Sequence, residues 1–211
     1  MSNIIDIKDS LMQLPTFSAE LHSQIISRDD YFRYATLGLA VQRIVNDNIK
    51  GSFAEVGVYQ GTMSAFIHSM ARERTYYLFD TFEGFPKKDV EFAGHADMFK
   101  DTSVELVLEN IGDRENIVVR KGYVPDTFAG LEYEQFAFVL LDLDLYLPTA
   151  RSLAFFYPRL VTGGYLVVHD YNNPPDPTIL VNRAVNEFMQ HKPEKGIEIA
   201  DKWGSIIVRK F

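Results

Sequence analysis

The chain contains no cysteine. A disulfide framework, a thiolate metal site and a catalytic thiol are thereby excluded. It also lacks any run of basic residues longer than two, and acidic residues outnumber basic ones by 29 to 21, for a formal charge of −8. The footprint of a phosphate-backbone binder is missing, so nucleic acid is not an expected partner. No apolar stretch approaches the ~20 residues needed to span a bilayer. The opening MSNIIDIKDS carries neither the basic start nor the apolar core of a signal peptide. A cytoplasmic protein with no membrane partner is expected. Internal repeats and low-complexity segments are absent as well.

What is present is an ordinary globular composition, 211 residues with 46% hydrophobic and 24% charged, enough for one domain with a sizeable core. Residues 1–50 read as an N-terminal helical segment that could serve as a lid, with a helix over 31–47 from apolar residues at helical spacing. Residues 51–211 read as alternating units. Continuous apolar runs predict strands at 52–58, 75–80, 116–122, 136–142 and 164–170. Helices are expected near 64–74, 102–112, 149–159 and 178–190, and GIEIAD with WGSIIVRK forms a closing antiparallel pair. Buried parallel strands separated by helices specify an α/β class, with a Rossmann-like, doubly wound, mostly parallel sheet covered on both faces.

In such a sheet, ligands bind beyond the carboxyl ends of the strands. Glu55, Asp80, Asp142, Asp144 and Asp170 all fall there. Any one of them could cap a helix, but five like charges on one edge repel and call for a ligand. The segment EVGVYQGT, 55–62, leaves strand one and opens a helix. Its pattern is E-x-G-x-x-x-G. A dinucleotide turn would be G-x-G-x-x-G, with glycine where Tyr59 stands. A tight but bulky turn without a Walker lysine suits a nucleoside cofactor that has no phosphates, namely S-adenosylmethionine. Asp80, at the end of strand two, is placed to accept hydrogen bonds from ribose hydroxyls. Glu55, Gly57, Tyr59, Gly61 and Asp80 form the expected cofactor set.

At four stretches the sequence resembles the macrocin-type O-methyltransferases, which methylate sugar or phenol hydroxyls. They are GSFAEVGVYQGT, LFDTFEGFP, VRKGYVPDTF and LLDLDLYLPTARSLAFFYPRLVTGGYLVVHDY, in order between about 50 and 190. The resemblance implies the class I methyltransferase fold, S-adenosylmethionine dependence, a small-molecule acceptor, a divalent cation such as Mg²⁺ and a tendency to homo-oligomerise. It places Gly122 and Tyr123 near the adenine. It makes Asp142, His169 and Asp170 the metal ligands, although the family has aspartate where this chain has His169. It also implies a general-base histidine in the loop after strand two, where His95 is the histidine present.

The chemistry asks for these groups. A methyl sulfonium is already electrophilic, and what it needs is an aligned, deprotonated oxygen. A divalent ion on Asp142 and Asp170 would acidify a coordinated hydroxyl. Asp144 is expected as a substrate contact, a support for that ion or a helix cap. His169 is either a ligand or a hydrogen-bonded support. Trp203 is expected in the core. Two rivals stay open, a scaffold protein with a degenerate metal site and an NAD-dependent oxidoreductase. NNPPDP, 172–177, resembles the Asn-Pro-Pro of DNA amino-methyltransferases but follows the wrong strand, and reads as a rigid loop over the site.

Overall fold

Along the central strand β4 (Phe136–Leu141), every residue is buried. From Phe138 onward its side chains alternate between two core layers, with Phe138 and Leu140 in one and Val139 and Leu141 in the other, the period of a strand buried on both faces. The protein is described by a computed structural model over residues 17–86, 98–172 and 180–211.

Around β4 the sheet has the order β3-β2-β1-β4-β5-β7-β6. Strands β1 (Ser52–Val56), β2 (Tyr76–Asp80), β3 (Ile117–Lys121), β4 and β5 (Leu160–Val168) run parallel. β7 (Ser205–Arg209) is antiparallel to both β5 and β6 (Ile197–Ile199). Helices α1 (Ala19–Ile26), α2 (Tyr31–Asn46), α3 (Thr62–Met70) and α4 (Val104–Ile111) supply the layer built on Leu37, Phe66 and Val107. Helices α5 (Tyr146–Phe156) and α6 (Val181–Met189) supply the other, through Leu153, Phe156 and Val185. This is the doubly wound arrangement that the alternating pattern predicts. Strand five starts earlier than its apolar run, at Leu160, because the preceding helix ends at Phe156 and closes in a 3₁₀ turn.

Two features bear on the site. α2 packs into the same core as the sheet through Leu37, Val41 and Ile44, so the segment read as an N-terminal lid is, over 31–46, an integral wall. The order of strands reverses between β1 and β4, and there the two backbones meet. The Asp142 amide donates to Val56 O at 2.8 Å. Gly57 lies so close that a Cβ on it would sit 1.7 Å from Asp142 O, and its φ is +91°. Glycine is obligatory at that position.

Candidate active site

A cavity of about 570 Å³ opens at this switch point, within the size range of small-molecule sites. Its lining includes Glu55, Gly57, Tyr59, Asp80, Gly122, Tyr123, Asp142, Asp144, His169 and Asp170. Of the residues expected in the site, these ten come together. Gly61 sits just behind the wall as the left-handed N-cap of α3, φ 77°. His95 lies outside the described residues, as does 173–177 of the proline-rich stretch. Described residues on either side of the segment that carries His95 do line the cavity, namely Phe85, Pro86, Met98 and Phe99.

At one side the glycine turn is held by Asp80. One carboxylate oxygen accepts from the amides of Val58 at 2.7 Å and Tyr59 at 3.0 Å, while the other accepts from the Phe82 amide at 2.7 Å. The acid expected to serve a ribose also builds the turn. Tyr59, at φ 52°, donates its hydroxyl to Asp101 at 2.7 Å and meets Phe99 edge-on. Glu55 turns beneath the turn, buried, and accepts from Ser64 at 2.7 Å and Tyr76 at 2.5 Å. Burial pushes its carboxyl up to about 7, against the pull of those two hydroxyls.

Beyond β4 and β5 the chemistry changes. Arg33, from α2, places Nη2 2.5 Å from Asp142 Oδ2. His169 Nδ1 lies 3.1 Å from both Asp142 Oδ1 and Asp170 Oδ2, and its Nε2 lies 3.1 Å from Lys202 O. Every partner of that ring is an acceptor, so both nitrogens carry hydrogen. Burial alone would lower the imidazole, yet the two carboxylates outweigh it and hold it up at about 10. Burial alone would raise Asp142, yet Arg33 and His169 keep it well below the usual carboxylate range. Asp144, at φ 59°, is pushed well above that range by burial and by Asp142 and Asp170, and it hydrogen-bonds Asp170. The capping alternative fails for Asp144, since α5 begins after Leu145 with no side-chain cap.

The ligand atoms of Asp142, His169 and Asp170 all lie within 4.8 Å of one another, yet the set does not suit a divalent cation as arranged. A metal-bound histidine presents a bare nitrogen, and here Nδ1 already faces two carboxylates and Nε2 a backbone carbonyl. Both oxygens of Asp142 already face cationic groups. For S-adenosylmethionine the fit is good. Among the described lining residues the cationic side chains are Arg33 and His169, both spent on carboxylates. A pyrophosphate would find no free cation, whereas a net-positive nucleoside meets acids and aromatic rings.

Sequence reasoning missed Arg33, which enters from a helix 109 positions before its partner. It also misplaced Trp203. That ring is 48% exposed and lines the cavity rim, because φ 69° turns the chain sharply between β6 and β7. Asp30 joins the same wall, accepting from the Lys202 amide at 3.1 Å.

The family model described as Macrocin-O-methyltransferase (TylF) matches residues 30–209. Mycinamicin III 3''-O-methyltransferase of Micromonospora griseorubida is 28% identical over 177 residues, 74% of this chain and 67% of that protein. Demethyldecarbamoylnovobiocin O-methyltransferase of Streptomyces niveus is 27% identical over 158 residues, 66% of this chain and 60% of that protein. The chain thus spans about three-fifths to two-thirds of these curated relatives. In fold, the O-methyltransferase NovP superposes with a TM-score of 0.70 at 24% identity, covering 85% of this chain and 80% of that one. The calicheamicin methyltransferase CalS11 gives 0.65 at 20% identity, with 96% and 90% covered. The sheet is that of the class I methyltransferases, closed by an antiparallel strand, and the chain belongs to the macrocin O-methyltransferase family of enzymes.

Proposed function

We propose that the protein transfers a methyl group from S-adenosylmethionine to a hydroxyl of a small molecule, a sugar or phenol of a natural product or glycoconjugate. The observation that carries this reading is the cavity itself. It has a glycine turn on one side, a carboxylate cluster on the other, and a backbone weld between them. S-Adenosylmethionine, when bound, supplies an electrophilic methyl group. The turn of 57–61 with Asp80, Gly122 and Tyr123 holds the nucleoside. Glu55 gives a carboxylate to balance its positive charge. Asp142, fixed by Arg33 and His169, and Asp144, beside Asp170, line the acceptor end and orient the hydroxyl. The proton goes to His95, assigned on its place in the sequence after β2. His95→Ala is then expected to keep cofactor affinity while turnover falls ~10²–10⁴-fold.

The acceptor class draws support from the relatives. One is named for a rhamnosyl tetracenomycin, and a bound sugar ring would find Trp203 at the cavity rim. Titration calorimetry with S-adenosylmethionine, S-adenosylhomocysteine and NAD, followed by turnover on a panel of sugars and phenols, tests the assignment. Binding of NAD alone would favour an oxidoreductase. Nucleoside binding with no turnover across the panel would favour a scaffold.

Glu55 makes a separate expectation. A carboxyl raised from 4.5 to about 7 on folding contributes stability that is complete below pH 4.5 and is lost as pH rises through 7. Against Glu55→Gln, which keeps an acceptor for Ser64 and Tyr76, the wild type should lose ~3 kcal/mol across that interval. A cationic ligand favours the ionised carboxylate, so nucleoside affinity should rise with pH over the same range and release a proton. Urea unfolding of both proteins at several pH values, with calorimetry in buffers of differing ionisation heat, reads both effects. Parallel stability curves would show that Glu55 does not titrate there.

A further inference from the structure

Four groups at the mouth of β4 and β5 form a closed charge chain, running from Arg33 through Asp142 and His169 to Asp170. Arg33 takes Asp142 Oδ2 at 2.5 Å, and His169 Nδ1 stands between Asp142 Oδ1 and Asp170 Oδ2 at 3.1 Å each. His169 is in turn fixed from behind by Lys202 O. It is buried, as is Asp170. We infer that this protein holds its acceptor carboxylates with two built-in cations, Arg33 and His169, in the place of a divalent metal ion, and so binds no metal there.

The inference rests on the methyltransferase reading only for calling this end of the cavity the acceptor end. Its physical content is independent. Two or three carboxylates converging on one point repel unless a positive charge lies among them. A divalent ion is one solution, and it requires oxygens or bare ring nitrogens pointing inward. Here the inward atoms are already used. A guanidinium cannot give up its proton, and its planar fork fixes the carboxylate it holds. An imidazole whose Nδ1 stands between two carboxylates cannot turn that lone pair to a metal without giving up its hydrogen bonds to both, even though Nε2 stays on Lys202 O. Asp144 and Asp170 retain a hydrogen bond between them, which leaves the acceptor hydroxyl a polar but metal-free seat. Arg33 and His169 are positioning residues. They act through Asp142 and Asp170 rather than on the reacting atoms.

Mn²⁺ is the probe. The full chain, with and without S-adenosylhomocysteine, is titrated with Mn²⁺, and free ion is followed by electron paramagnetic resonance. The wild type should show no stoichiometric binding below millimolar concentrations. His169→Asp with Arg33→Met, which removes both cations and adds an oxygen ligand, should bind ~10–100-fold more tightly, the scale on which neighbouring groups tune metal sites. His169→Asp alone should move in the same direction. One Mn²⁺ bound tightly by the wild type and lost in Asp142→Asn would overturn the inference. A double variant no better than wild type would overturn it too, because the two cations would then not be what excludes the ion. Calorimetry with S-adenosylhomocysteine on the same samples keeps the outcomes apart. Its failure sinks the methyltransferase reading, whatever Mn²⁺ does.

Discussion

Gly57→Ala is expected to be the most damaging single methyl group that can be added to the cofactor side of the cavity. The new Cβ would stand 1.7 Å from Asp142 O and 2.7 Å from its carbonyl carbon. Neither atom is the end of a flexible side chain. Both belong to the backbone that carries Asp142 into the site, and that backbone is tied to β1 by the Asp142 amide on Val56 O. The φ of +91° adds strain for any residue with a side chain. Overpacking costs ~1–3 kcal/mol and an unfavourable backbone conformation a similar amount, so a loss of about 3–5 kcal/mol is expected. The methyl group pushes the two sides of the site apart, so S-adenosylhomocysteine binding should vanish in whatever fraction remains folded. Denaturant unfolding and calorimetry on the same preparation test both parts. A variant with near-wild-type stability and affinity would mean that the switch point is far more open than the contact implies.

Arg33→Met should produce the second large effect, of a different kind. It preserves the length of the side chain and removes its charge, leaving Asp142 with His169 alone. Breaking a buried ion pair from one side costs ~3–5 kcal/mol. The Arg33 and Asp142 side chains keep 15% and 26% of their exposure, so about 2–3 kcal/mol is expected. The cost should shrink when Asp142→Asn is added, because the carboxylate that made the loss expensive is gone. That coupling, read in a double-mutant cycle by urea unfolding, separates a charge effect from mere loss of packing. Additive losses would show that Arg33 stabilises α2 without holding Asp142. Acceptor turnover should fall in Arg33→Met with nucleoside affinity preserved, since Asp80 and the glycine turn stand on the other side of the weld.

The fold was legible because its strands announce themselves. FVLL of β4 and YLVV of β5 are apolar without interruption, and only a sheet covered on both faces buries such runs. The glycine-turn side of the cavity was legible for a related reason. A turn between a strand and a helix is local, so Glu55, Gly57, Tyr59 and Gly61 are neighbours in sequence as well as in space. The carboxylate side, beyond β4 and β5, was half legible. Asp142, Asp144 and Asp170 mark strand ends, and strand ends share an edge. Arg33 carried no such mark. It looks like any charged residue of an amphipathic helix, and only the docking of α2 aims it inward. Trp203 was misread as core because an aromatic residue among apolar neighbours usually is. Its rim position depends on a sharp corner beside Gly204 that composition does not announce. That Asp80 builds the turn was hidden as well, because its three amide donors belong to a loop shape rather than to residue types.

The contact between Asp30 and Lys202 joins residues 172 positions apart, and it has a consequence for how the protein is made. A chain leaving the ribosome exposes its N-terminal portion first. β1, β2 and β3, with the glycine turn and Asp80, are complete by about residue 123. The acceptor wall is not, since Arg33 must wait for Asp142, and His169 must wait for the carbonyl of Lys202. Asp142 can meet Arg33 as soon as β4 is made, whereas the backing of His169 by Lys202 O and the tie from Asp30 to the Lys202 amide wait for nearly the last residues. The corner at Lys202 that backs His169 is therefore the last part of the cavity wall to be completed as the chain is made.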